Sequence, residues 1–140
     1  MMDDKRIVGI DFGDARVGIA ASDPGRTIAF PKDVIKVKGL EDAVEKTSEK
    51  LKELLAHKAV IGLPKNMDGS EGYRVDRTKR FAEMLSSKTD CEIVFFDERL
   101  STVLAHGYLA ESGMDSRKHK KIVDALSAQI ILQDYLDSIK

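Results

Sequence analysis

Two apolar runs, Ile7-Val8-Gly9-Ile10 and Val17-Gly18-Ile19-Ala20-Ala21, stand on either side of a short polar stretch that contains Gly13 and Asp14. Runs of this length bounded by turn formers read as neighbouring strands of a tight hairpin. The first run ends on a charge, Asp11, beside the turn. An ionised carboxylate at the edge of a core is costly unless it is paired, hydrogen-bonded or holding a cation. A fold built on this hairpin therefore has to give that acid a task.

The chain beyond the hairpin narrows the fold class. Asp23-Pro24-Gly25 separates the hairpin from a third apolar stretch, which predicts three antiparallel strands over 6–11, 17–22 and 28–37. Leu40, Ala43, Val44, Leu51, Leu54 and Leu55 recur at helical spacing and predict an amphipathic helix over 40–56. A buried strand over 59–64 ends at Pro64, and 65–77 is polar and rich in turn formers. A helix over 76–87 leads to a strand over 92–96, and that strand also ends in acid, Asp97-Glu98. Ser101 or Thr102 is suited to cap a helix that runs to Glu111 and stops at Gly113, and a last helix is expected from Ser116 to Ile139. Its Leu126, Ile130, Leu132 and Tyr135 are expected in the core. Strands first antiparallel and then alternating with helices predict an α/β mixed five-stranded sheet, three antiparallel strands then two parallel, flanked by helices.

Composition bounds the task of Asp11. At 140 residues, 42% hydrophobic and 34% charged, the chain is expected to form one soluble domain over 1–140. It has no signal-peptide pattern and no run of membrane-spanning length, so the expected compartment is the cytoplasm and no membrane partner is expected. The one cysteine, Cys91, has no partner for an intrachain disulfide and is expected to pack in a strand. With 23 basic against 24 acidic residues, a case for nucleic acid has to rest on local clusters.

In open sheets, catalytic groups collect at the carboxyl ends of the strands. Here two strands end in acid, at Asp11 and at Asp97-Glu98, and periodicity does not decide which of the second pair turns inward. A third acid, Asp124, lies in the last helix after the basic run Arg117-Lys118-His119-Lys120-Lys121. Converging carboxylates repel one another and raise their own pKa values unless cations sit between them. Oxygen donors suit magnesium or manganese. Two such ions, roughly 4 Å apart, activate water and stabilise the leaving oxygen in phosphodiester hydrolysis. This chemistry points to a nuclease.

Four motifs in order carry a family resemblance: Gly9-Ile10-Asp11-Phe12-Gly13 with Arg16 and Gly18; Gly62-Leu63-Pro64 with Met67-Asp68-Gly69-Ser70; Asp97-Glu98-Arg99-Leu100-Ser101-Thr102; and Lys121-Ile122-Val123-Asp124-Ala125-Leu126-Ser127-Ala128. Over its whole length the chain resembles the YqgF/RuvX family, whose members are described as Holliday junction resolvases and as nucleases that mature pre-16S rRNA. The resemblance implies a ribonuclease H-like fold with Asp11, Glu98 and Asp124 as catalytic, metal-holding acids, and so chooses Glu98 over Asp97. It also implies structured RNA or branched DNA as partner; the sequence leaves monomer or homodimer open, and a two-fold DNA junction as substrate favours the homodimer.

Basic residues in a first helical turn oppose the helix dipole, a cost that phosphate binding by Lys118, Lys120 and Lys121 explains; a solvated helix face is the equal alternative. Arg16 and Arg99 are candidates to neutralise charge on the reacting phosphate, although Arg16 is also placed to pair with Asp14. Lys65, Arg74, Arg77, Lys79 and Arg80 form a second basic segment, whose plain alternative is a charged helix face. Two other functions share these features. Actin-like and sugar-kinase ATPases open on a similar hairpin but need a second domain to close over a nucleotide. A nucleic-acid-binding factor that keeps the fold without cutting is the third reading, and the three acids speak against it.

Overall fold

A computed structural model describes residues 6–65, 70–97 and 116–139, with the backbone alone for 116–125. Five strands, β1 (Arg6–Phe12), β2 (Arg16–Ser22), β3 (Ala29–Lys36), β4 (Ala56–Leu63) and β5 (Glu92–Asp97), form one sheet in the order β3-β2-β1-β4-β5. The β1–β2 and β2–β3 pairs are antiparallel, and β1–β4 and β4–β5 are parallel. The mixed sheet expected from the sequence is present. The carboxyl ends of β1, β4 and β5, the start of β2 and the end of β3 therefore share one sheet edge.

Alternation divides the sheet residues between two cores. Val8, Ile10 and Phe12 with Ile19 and Ile61 bury against α1 (Leu40–Glu53) and α2 (Tyr73–Ser86), and the Phe12 and Phe81 rings stack with centroids 4.4 Å apart. Ile7, Ala20 and Val60 bury on the other face against Ala128, Ile131, Leu132 and Leu136 of α3 (Ser116–Ser138). Among the described residues no helix is long and apolar enough to cross a membrane.

Helix starts and ends depart from expectation where caps are unusual. Gly39 caps α1 without a side-chain hydrogen bond; instead the Asp42 carboxylate accepts the Lys38 N–H at 2.8 Å from inside the first turn. α2 begins at Tyr73, so 73–77 is helix rather than loop; its cap, Gly72, offers no side chain, which removes the usual signal. In α3 the expected core set is partly out of phase. Leu132 is fully buried, but Leu126, Ile130 and Tyr135 are only partly so, and Ile131 and Leu136 take the fully buried positions. Cys91 sits just before β5, where its thiol donates to the Ala56 carbonyl oxygen at 3.1 Å. The helix expected near 101–111 lies outside the described residues.

Candidate active site

Asp11 is the next-to-last residue of β1 and is half-buried. Its neighbours Ile10 and Phe12 belong to the α1/α2 core, so alternation turns Asp11 to the α3 face. There its cross-strand partner in β2 is Gly18. On the other side Ile10 pairs with Ile61, and the residue after Ile61 is Gly62. The acid thus stands between two strands that present glycine at its level. Side chains there would occupy the space around the carboxylate.

The same parity separates the two acids at the end of β5. Gly62 pairs with Phe96, which packs against the α3-side core, whereas Leu63 pairs with Asp97. Asp97 therefore belongs to the face opposite Asp11. Glu98 and Arg99 lie outside the described residues.

Helix α3 runs antiparallel to β1. Lys58, the strand partner of Ile7, donates to the Tyr135 hydroxyl at 2.9 Å, and farther along β1 the backbone of Gly9 faces Leu132 and Ala128. Two strand residues advance about 6.6 Å and four helical residues about 6 Å, so strand and helix keep step. One turn before Ala128 is position 124; two residues after Gly9 is Asp11. The side chains of Asp124, Lys118, His119, Lys120 and Lys121 lie outside the described part of the structure.

Two glutamines that the sequence patterns did not single out fix the helix over the sheet. Gln133 Oε1 accepts the Ala29 N–H at 2.9 Å while its Nε2 donates to the Thr27 carbonyl, and Gln129 Nε2 donates to the Ala29 carbonyl at 3.1 Å. Their signal was a pair of amides at helical spacing within an apolar stretch.

The hairpin turn is tied at both ends. The Gly13 N–H donates to the Arg16 carbonyl at 2.9 Å, and Asp14 accepts Arg77 Nη2 at 2.8 Å and Nε at 3.1 Å. That contact raises the Arg77 pKa and gives Asp14 a partner on α2. The second basic segment is largely neutralised in the same manner. Lys79 and Lys65 share Glu71, whose pKa is lowered mainly by Lys79, and Arg80 pairs with Glu83 at 2.8 Å. These pairs favour the reading of a charged helix face.

Among the described residues no three His, Cys, Asp or Glu side chains gather to hold a metal. Of the three expected acids, only Asp11 has a described side chain. Its oxygen donors and the side-chain-free flank at Gly18 and Gly62 suit a hard divalent cation.

Comparison with known proteins agrees with this architecture. The family model described as RuvX, Holliday junction resolvase, matches residues 5–138. A protein of Ruminiclostridium cellulolyticum named "Putative pre-16S rRNA nuclease" is 45% identical over 135 residues, covering 96% of this chain and 95% of its own. One of the same name from Caldanaerobacter subterraneus subsp. tengcongensis is 42% identical over 136 residues, covering 96% and 98%. Among solved structures, T. thermophilus RuvC in complex with Holliday junction substrate superposes with a TM-score of 0.61 at 13% identity, over 96% of this chain and 95% of that one. The fowlpox virus resolvase with Holliday junction DNA gives 0.58 at 11% identity, over 96% and 98%. At those identities the likeness is one of fold, the ribonuclease H-like fold of the RuvC-type resolvases. On the full-length family match and the two relatives above 40% identity, the chain belongs to the RuvX family.

Proposed function

We propose that the chain is a metal-dependent nuclease, a single domain over 1–140, which hydrolyses phosphodiester bonds in structured nucleic acid and processes pre-16S rRNA in the cytoplasm. The observation that carries this reading is Asp11, turned to the α3 face at the sheet edge between Gly18 and Gly62. Near-full-length relatives named for a pre-16S rRNA nuclease supply the substrate.

In this reading Asp11, Glu98 and Asp124 are the acids that hold magnesium or manganese. Two ions so held supply water activation and stabilisation of the leaving oxygen. The strand position of Asp11 keeps its carboxylate in a fixed direction, and the matched rise of β1 and α3 supports Asp124 as a second acid near its level. Parity turns Asp97 to the face opposite Asp11, which supports the choice of Glu98 as the acid of that pair. Lys118, Lys120 and Lys121 hold the substrate backbone at the opening of α3. Arg16 and Arg99 neutralise charge on the reacting phosphate.

A second reading, a Holliday junction resolvase, is favoured by the fold likeness to RuvC bound to a junction. It requires a homodimer, since a two-fold junction presents two equivalent cleavage points. One experiment separates the readings. Purified protein is given a pre-16S rRNA fragment and a four-way DNA junction side by side, with magnesium, manganese or chelator, and Asp11→Asn, Glu98→Gln and Asp124→Asn as controls. Cleavage of the RNA that needs the metal and all three acids is expected. The three effects should not add, because the site acts as a unit. Junction cleavage alone overturns the RNA assignment, and wild-type rates in any two of the variants overturn the site.

A further inference from the structure

Ser127 of α3 is fully buried, and among the described residues its Oγ has no hydrogen-bond partner. A helical serine ordinarily satisfies itself by donating to a carbonyl one turn earlier. Buried Ser48 does so to Glu45 at 2.8 Å, and Ser138, in the same helix as Ser127, to Tyr135 at 2.6 Å. Ser127 does not. A buried hydroxyl left unpaired is costly, and alanine would fill nearly the same space without that cost. Among the described residues Thr47 of α1 is the other buried hydroxyl in this state, but its methyl group gives it an apolar reason to be there. Only the hydroxyl distinguishes Ser127 from alanine.

The place of Ser127 follows from the contacts of the helix around it. Ser127, Ile131 and Tyr135 lie four residues apart and form one ridge of α3. Tyr135 meets Lys58 of β4, whereas Gln129 and Gln133 reach the other way, to Ala29 of β3. The Ser127 ridge is therefore on the β4 side. Gly9 faces Leu132 and Ala128, so on the helix its level is midway between the two. Two strand residues farther, about 6.6 Å, come Asp11 on β1 and Gly62 beside it on β4. That distance is about four helical residues, and a helical side chain covers the surface slightly N-terminal to its own Cα. Ser127 thus stands at the level of Asp11, on the side of the glycine that leaves room beside that acid.

We infer that Ser127 is a positioning residue of the metal site: its hydroxyl donates to a carboxylate oxygen of the acids that hold the cation and fixes the direction in which that carboxylate points. The inference rests on the reading of Asp11 as a metal-holding acid. The chemistry is complementary. An ionised carboxylate only accepts hydrogen bonds, and a serine hydroxyl brings one donor. Carboxylates that ligate a metal are themselves held by hydrogen bonds from residues behind them. A neutral donor does this without adding a charge that would compete with the cation, as a lysine or arginine at the same place would.

The test is calorimetric titration of manganese chloride into metal-free protein, with no nucleic acid present, beside a thermal melt of each metal-free variant. Ser127→Ala should melt at or above wild type, because it removes an unpaired buried hydroxyl. It should nevertheless bind manganese on the order of tenfold more weakly. A merely structural serine would not move these two readouts in opposite directions. Thr47→Val, which removes the other unpaired hydroxyl on the far side of the sheet, should bind manganese as wild type does. Asp11→Asn should weaken binding in the same titration. If Asp11→Asn weakens it and Ser127→Ala leaves it at the wild-type value, the inference is overturned and the metal site stands. If metal-free Ser127→Ala melts well below wild type, the hydroxyl serves the fold and the inference is again overturned. If wild type and Asp11→Asn bind alike, the metal reading of Asp11 falls and the inference falls with it.

Discussion

Gly9 and Leu132 meet so closely that no side chain fits between their backbones. A Cβ at position 9 would stand 2.7 Å from Leu132 Cβ and 2.8 Å from the Ala128 carbonyl oxygen. The second contact is with backbone, so relief requires moving α3 itself. This is the point at which β1 and α3 are held in step, two residues before Asp11. Gly9→Ala is therefore expected to cost about 1–3 kcal/mol as an overpacking change. It should also lower cleavage beyond that loss, because a misplacement of about 1 Å is worth up to roughly a hundredfold in rate. A thermal melt and the turnover of the folded fraction check both parts; a variant with full stability and full turnover refutes the close packing of β1 on α3.

The start of β1 depends on a hydroxyl. The register slips between Arg6 and Ile7, and the Ile7 N–H is taken by Ser22 Oγ at 3.0 Å, which in turn donates to the Asp23 carbonyl. Ile7 and Ser22 are both buried. Ser22→Ala leaves a buried N–H without its acceptor, which should cost about 1–3 kcal/mol in urea unfolding. Ser22→Thr keeps the acceptor and should recover part of the loss. Equal stability of Ser22→Ala and wild type counts against the assignment.

Asp23 gives the protein an acid limb of stability. Its Oδ1 accepts the N–H groups of Thr27 at 2.7 Å and Ile28 at 2.9 Å. These bonds, that from Ile28 first, lower its pKa below the ordinary 3.8. A carboxyl lowered in the folded state stabilises it fully above the unfolded value and loses that contribution as pH falls through 3.8 toward the folded value. The melting temperature should fall over this window. Asp23→Asn should flatten that fall, and an unchanged slope in the variant would assign the limb to other acids.

The hairpin acid and the succession of strands and helices along the chain were legible because they are local: apolar runs, turn formers and a helical period write them directly. What the sequence did not disclose depends on contacts between distant residues. Whether Asp97 faces Asp11 is decided by its pairing with Leu63, and a strand read alone carries no such register. The charge on α2 reads as a basic patch until Arg77 is seen on Asp14, sixty-three residues away in the chain. In α3, the apolar residues lie nearly all round, and the buried stripe through Ile131 and Leu136 was set by the sheet it covers.

Metal should stabilise this fold through Asp11. The acids proposed to hold it come from β1, from the segment after β5 and from α3, so the site exists only when these elements are assembled. A ligand that binds the folded chain alone raises stability by mass action, about 2.7 kcal/mol at a hundredfold excess over its dissociation constant. Magnesium or manganese, titrated into metal-free protein, should therefore raise the melting temperature progressively, whereas potassium at matched ionic strength should not. Asp11→Asn keeps the shape of the side chain and removes its charge, so the variant should fold and gain much less from the same titration. If Asp11→Asn gains as much as wild type, the cation is held elsewhere and Asp11 is a structural acid.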